Sequence, residues 1–175
     1  GGQGVSFFLP YFCVLFVLPK PFPGGKMLPK YVSRERIIFF DAAIHKQQAL
    51  VHLMDCITAS DRIADQEKFR NGILERENIM STGIGLGIAV PHTYSNAVTD
   101  IVIAIGVSRE GISDYGSMDD KPVHFVMMVA AGSHQHREYL QILARIAMLV
   151  KNERIKTALL AAKDEDEIIA ALSSI

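Results

Sequence analysis

Two almost uninterrupted apolar runs, Ile101 to Val107 (IVIAIGV) and Val123 to Val129 (VHFVMMV), constrain this chain more than any other feature. A strand that is apolar at nearly every position, instead of at alternate ones, has to be covered on both faces, and helices are the usual cover. Both runs are therefore predicted as central strands of a sheet. With 175 residues, 49% of them hydrophobic, the chain can bury one such core and not two.

The flanking segments supply the cover. ERIIFF at 35–40 reads as a first strand or an extended lead-in. Residues 43–57 carry Ile44, Leu50 or Val51, Met54 and Ile57 at three- and four-residue steps, which makes one apolar helical face. Residues 64–78 form a second helix, with Asp65 and Glu67 at its N-terminus and Phe69, Ile73 and Leu74 as the buried stripe. A loop through STGIGLG then feeds a brief strand, Ile88 to Val90, stopped by Pro91. The stretch 109–122 (REGISDYGSMDDKP) has the composition of a surface connection. A third helix is expected over 135–150, with Ser133 as N-cap and Leu140, Leu143, Ala147 and Val150 on its packed side. Asn152 caps a shorter helix through Leu160, and Asp164 with Glu167 makes a capping-box-like start for the last one. Two helices, then strands, then three helices predict an α/β fold with a mixed β-sheet flanked by helices on both faces.

Residues 1–26 stand apart. Val5 to Leu18 is apolar but only 14 residues long, broken by Pro10 and closed by Pro19, whereas a spanning helix needs about 20 residues. No basic stretch precedes it, and the following KPFPGG lacks a small-x-small cleavage pattern. It is read as an extension outside the fold, the domain being residues 27–175, and membrane contact is expected to be indirect or through this segment alone. The formal charge of −1 gives no footprint for nucleic acid or an anionic surface. Cys13 and Cys56, far apart in sequence, argue against a disulfide framework or a cysteine zinc site and for a reducing, cytoplasmic setting.

Among six histidines, His92 has the most unusual setting, since it closes the Gly-rich segment and follows Pro91. Proline fixes its own φ and biases Val90 towards extended backbone, which holds the imidazole at a defined strand end. Neutral imidazole is a nucleophile at physiological pH and a competent leaving group, so a fixed one suits group transfer; a loop-end histidine with no role is the plainer alternative. Gly83, Gly85 and Gly87 allow backbone N–H groups to cradle an anion, and equally make a tight turn. They do not match a dinucleotide fingerprint, and no P-loop is present, so no nucleotide cofactor is expected. Arg76, in Glu75-Arg76-Glu77, is either part of a solvated charge run or a forked donor to a phosphoryl group on His92. Ser81 and Thr82 add hydroxyls that either donate to such a group or satisfy the turn. His134 and His136 have no carboxylate or cysteine at a metal-binding spacing, so no metal is expected. His45, His52 and His124 read as surface or satisfied core histidines.

Taken together, Arg76 to His92 (RENIMSTGIGLGIAVPH) resembles the signature of the mannitol/fructose-type and nitrogen-regulatory enzyme IIA family of the bacterial sugar phosphotransferase system, and the order of elements over 35–175 follows it. The resemblance implies the enzyme IIA fold and a phosphotransferase that accepts a phosphoryl group from phospho-HPr on His92. It implies that Arg76 steadies the group, the loop of Ser81, Thr82, Gly83, Gly85 and Gly87 cradles it, and a IIB domain or regulatory target receives it or reads it. Without IIB or IIC segments on this sequence, the stand-alone nitrogen-regulatory type is the closer expectation. A regulatory binding module without obligatory sugar transfer is the alternative. By the same resemblance a helper histidine precedes the leucine of the third helix, where this chain has Tyr139. His136, one turn earlier, and Tyr139 itself are the candidate helpers.

Overall fold

A computed structural model of the chain describes residues 28–173. The apolar extension at 1–26 lies outside them. After two single 3-10 turns, Leu28–Tyr31 and Arg34–Arg36, the elements are β1 (Ile37–Phe40), α1 (Lys46–Thr58), α2 (Gln66–Ile79), β2 (Gly83–Gly85), β3 (Ile88–Ala89), β4 (His92–Ser95), β5 (Val102–Ile112), β6 (Val123–Gly132), α3 (His136–Val150), α4 (Glu153–Ala161) and α5 (Glu165–Ser173). The strands make one six-stranded mixed sheet in the order β1-β5-β6-β3-β2, with β4 also on β6. β5 and β6 pair antiparallel at its centre, while β1 runs parallel to β5, and β3 and β4 run parallel to β6.

The two apolar runs are those central strands, and alternation splits their side chains between two cores. Ile103, Ile105, Val107, Phe125, Met127 and Val129 pack with Ile142, Ile146, Leu149, Leu159, Ile168 and Leu172 of the last three helices. Val102, Ala104, Val126, Met128 and Ala130 face Leu50, Leu53, Ile57, Phe69 and Ile73 of the first two. Helices thus cover both faces, as the continuous hydrophobicity requires.

Several local expectations are corrected. The stretch 109–122 is not simply a surface connection: β5 continues to Ile112, and Tyr115 and Ser117 are buried beyond it. The N-cap of α3 is Gln135, not Ser133; the Gln135 side chain accepts from Gly132 N–H and donates to Asp100, tying the helix start to the sheet. The buried stripe of α3 runs Tyr139, Ile142, Ile146, Leu149, one residue out of step with the expected one, so that Leu140 and Leu143 are only partly covered. In α1 it is Leu50 that faces the core and Val51 that is exposed, and Leu74 of α2 is exposed while Glu77 is buried. Asn152 and Asp164 cap α4 and α5 as the sequence indicated.

The Gly-rich segment is a hairpin, not a loop leading to a strand. β2 and β3 pair antiparallel around Gly85, Leu86 and Gly87, which all adopt positive φ. Gly83 is needed for a different reason: a Cβ there would stand 2.9 Å from the Ser117 Cα, and its carbonyl accepts the Met118 N–H at 3.0 Å. Because the obstacle is backbone, it cannot rotate away. Gly83→Ala is expected to destabilise the fold by about 1–3 kcal/mol, read as a lowered urea midpoint with an unchanged slope.

Candidate functional site

β3 and β4 hold one register along β6, Ile88 opposite Phe125 and His92 opposite Val129. Pro91 lies between them, so the pairing does not stop at Val90 as expected. Proline lacks a donor but keeps its acceptor, and Val129 N–H donates to Pro91 O at 2.9 Å. Gly87 O likewise accepts from Phe125 N–H. Odd-numbered carbonyls therefore turn to β6, and Val90, between them, turns its peptide groups to the opposite edge. There Val90 N–H donates to Thr82 O at 3.0 Å, and Val90 O receives His92 Nδ1 at 2.6 Å.

This contact and one other define the imidazole. Nδ1 faces a carbonyl, which can only accept, so it carries the proton. Arg76 Nε–H donates to His92 Nε2 at 3.3 Å, which requires a free lone pair on that nitrogen. The guanidinium is itself fixed by donation from Nη1 to Met80 O at 2.9 Å, at the end of α2. His92 is held below the ordinary imidazole range chiefly by burial; the Val90 contact and the Glu77 charge act against that, and Arg76 adds to it. What results is a neutral, oriented ring with its nucleophilic nitrogen beside a cation.

Tyr139 lies next to His92 with ring centroids 6.1 Å apart, and Tyr94 stacks on Tyr139 at 5.5 Å. His136 packs edge-on against Tyr94 at 5.1 Å. Of the two candidate helpers, Tyr139 is the one whose ring adjoins His92. The Tyr94 hydroxyl donates to Ser133 O. Beside these groups an open cleft of about 640 Å³ runs between α2 and β4, bordered by Gly72, Arg76, Ile79, Thr93 and Tyr94.

Ser81 and Thr82 are engaged within the protein. Ser81 Oγ donates to Tyr115 O at 3.1 Å, and Thr82 donates to Glu77 from its amide at 3.0 Å and its hydroxyl at 2.5 Å. Gly85 and Gly87 shape the hairpin against Asp119 and His124, and Gly83 admits the backbone at Ser117. Their contacts in this structure are those of a turn. Among the described residues no group of three or more His, Cys, Asp or Glu side chains could hold a metal ion. His45 caps α1, His52 adjoins Phe40, and His124 Nδ1 donates to Ser108 O.

The sequence reading missed Glu77, Lys46 and Tyr115. Glu77, buried, receives Lys46 Nζ at 2.8 Å besides the two Thr82 groups, and Lys46 Nζ lies 4.7 Å above the Tyr115 ring. The spacing Phe69, Ile73, Glu77 was the available signal, since it sets a carboxylate on the buried stripe of a helix.

Residues 30–175 match the family model for the phosphoenolpyruvate-dependent sugar phosphotransferase system, EIIA 2. The chain is 36% identical over 124 residues to the fructose-specific EIIABC component of Bacillus subtilis, covering 71% of this chain and 19% of that protein. It is 31% identical over 130 residues to the fructose-specific EIIA component of Haloferax volcanii, covering 74% of this chain and 84% of that one. In structure it is similar to the nitrogen regulatory protein IIA-Ntr of Neisseria meningitidis, with TM-score 0.74, 20% identity, and coverage of 83% of this chain and 99% of the other.

The depressed His92 pKa carries a sign for stability. The unfolded imidazole takes up its proton first on acidification, so this group leaves stability unchanged above about pH 6.5 and lowers it as pH falls from there through the folded pKa. Melting midpoints measured against pH are expected to fall more steeply below 6.5 in the wild type than in His92→Gln, with parallel curves above it.

Proposed function

This chain belongs to the EIIA 2 family of the phosphoenolpyruvate-dependent sugar phosphotransferase system, a family of phosphocarriers, and from that premise we propose that His92 Nε2 is the atom that accepts and returns the phosphoryl group. The observation that carries the reading is the pair of contacts on one ring, Val90 O at Nδ1 and Arg76 at Nε2. A phosphohistidine-type donor, of the HPr kind, enters with its phosphorus in line with Nε2. The donor's N–P bond breaks as the Nε2–P bond forms, and the donor imidazole leaves with its electron pair. Nδ1 keeps its proton throughout, and Val90 O holds the positive charge that the phosphorylated ring acquires. Arg76 exchanges its contact with Nε2 for the phosphoryl oxygens. Protein groups supply position and charge alone, so the step needs no nucleotide.

Onward delivery goes to a IIB-type acceptor, a reading supported by the A, B and C components joined in the name of the Bacillus subtilis relative. Ile79, Met80, Leu86, Tyr94 and Met118 are exposed apolar side chains, of the kind that suits docking of partners that exchange quickly. Tyr139 favours a second reading beside it. Without a cation at that position the phosphorylated state has one helper fewer, which fits a chain whose phosphorylation is read by a regulatory partner more than relayed.

Incubation with phosphoenolpyruvate, enzyme I and HPr is expected to place an acid-labile phosphate on the wild type and none on His92→Ala; label surviving that substitution would overturn the assignment. Arg76→Ala is expected to slow labelling by about 10²-fold, the loss typical of removing one preorganised charged donor. Tyr139→His is expected to speed onward transfer to a IIB domain relative to the wild type, in a single-turnover assay from the phosphorylated protein.

A further inference from the structure

The ion pair between the partly exposed Lys46 and the buried Glu77 is not used by the proposed transfer. Its contacts form an unbroken line to the imidazole. Glu77 Oε1 accepts from Lys46 Nζ at 2.8 Å and from Thr82 N–H at 3.0 Å, and Oε2 accepts the Thr82 hydroxyl at 2.5 Å. Thr82 O then accepts Val90 N–H at 3.0 Å, and Val90 O meets His92 Nδ1 at 2.6 Å. Thr82 also lies 3.3 Å from the buried Tyr115 hydroxyl, whose ring is under Lys46 Nζ.

Resting on the reading of His92 as the phosphoryl site, we propose that Glu77 is a positioning residue: through Thr82 it fixes the Val90 peptide, and so selects the imidazole tautomer that leaves Nε2 free. Consecutive residues in the last turn of α2 then act on the two nitrogens of one ring. Arg76 approaches Nε2 directly from the partly exposed face, and Glu77 acts on Nδ1 through the buried one. Neighbouring positions on a helix are about 100° apart, which lets one turn reach both sides of the β3–β4 edge. Lys46 cancels the carboxylate charge, so that an incoming phosphoryl group does not meet an unpaired anion behind the ring. A carboxylate is suited to this place because Thr82 presents two donors and Lys46 a third, whereas an amide of the same shape has a single acceptor oxygen.

Long-range proton–nitrogen NMR on the labelled full chain, with His92→Gln to assign the ring, reads the tautomer directly. Wild-type His92 is expected in the Nδ1–H form alone, and Glu77→Gln is expected to populate both forms and to lower the rate of phosphoryl uptake by about tenfold with the KM for the donor unchanged. Lys46→Met combined with Glu77→Gln removes both charges of the pair and keeps the test available should the single variant not fold; the same two losses are expected. A wild-type ring protonated at Nε2, or a folded variant that retains the single tautomer and the wild-type rate, would overturn the proposal. Absence of phosphate on wild-type His92 would instead remove the functional reading, and the tautomer comparison, which needs no donor, stands apart from it.

Discussion

The geometry of the site depends on the edge where β3 and β4 share one strand of the sheet, β6, across Pro91. A parallel ladder commits alternate peptide groups to its neighbour, so every second residue turns its donor and acceptor outwards. Val90 is such a residue, and the hairpin of β2 and β3 brings Thr82 to its N–H. Its carbonyl is left to the side chain two positions on. Pro91 ensures that the connecting residue cannot donate a competing bond, while Val129 still draws the Pro91 carbonyl into the ladder. The imidazole is therefore oriented by main chain that is part of the sheet, and sheet main chain is the least mobile support a small domain offers.

Beneath that edge, the burial of Glu77 is costly to fold, while its partner Lys46 stays partly exposed. A carboxylate leaves water, and the attraction of a partly solvated ammonium does little more than offset its desolvation. The pair is consequently a poor argument for stability and a better one for specificity. It satisfies a turn amide and hydroxyl that face the core at Thr82, where an apolar replacement would leave both donors unpaired. Burial and the Glu77 charge together hold the Tyr115 hydroxyl well above the usual phenol range, so it stays protonated and can donate to Thr82 Oγ. Gly83, with no room for a side chain against Ser117, lets the 115–118 segment come close enough for this arrangement to close.

The parts of the fold legible in the sequence were those written in local periodicity: β5 and β6 from their unbroken apolar runs, α1, α2 and the last two helices from their stripes and caps, and hence the layered architecture. The candidate site was legible through Arg76 and His92, which the structure brings into contact, because their motif is contiguous. What escaped depended on contacts distant in sequence. Tyr115 and Ser117 sit in a stretch whose Gly, Asp and Ser content reads as solvated loop, and only the hairpin at 83–89, unrecognised as a hairpin, explains their burial. The stripe of α3 was misplaced by one position because Leu140 and Leu143 outweigh Tyr139 on any hydrophobicity scale, although the tyrosine is the residue that turns inwards to stack beside His92 and Tyr94. Glu77 looked like one member of an exposed charge run because its partner Lys46 belongs to another helix.

Charge accounting around His92 gives these placements a common logic. With Lys46 and Glu77 cancelling each other, Arg76 is the cation in contact with Nε2 among the described residues, and on the proposed reading the burial that lowers the His92 pKa also strengthens that cation's hold on an arriving dianion. A histidine at the Tyr139 position could add a second positive charge on the open side of the ring; tyrosine adds a stacking surface and no charge. On the proposed reading, Arg76 then carries a larger share of phosphoryl stabilisation here than it would in a relative with a helper histidine. Because its Nη1 is anchored to Met80 O at the very end of α2, the termination of that helix at Ile79 would, on the same reading, be a determinant of the chemistry as well as of the fold.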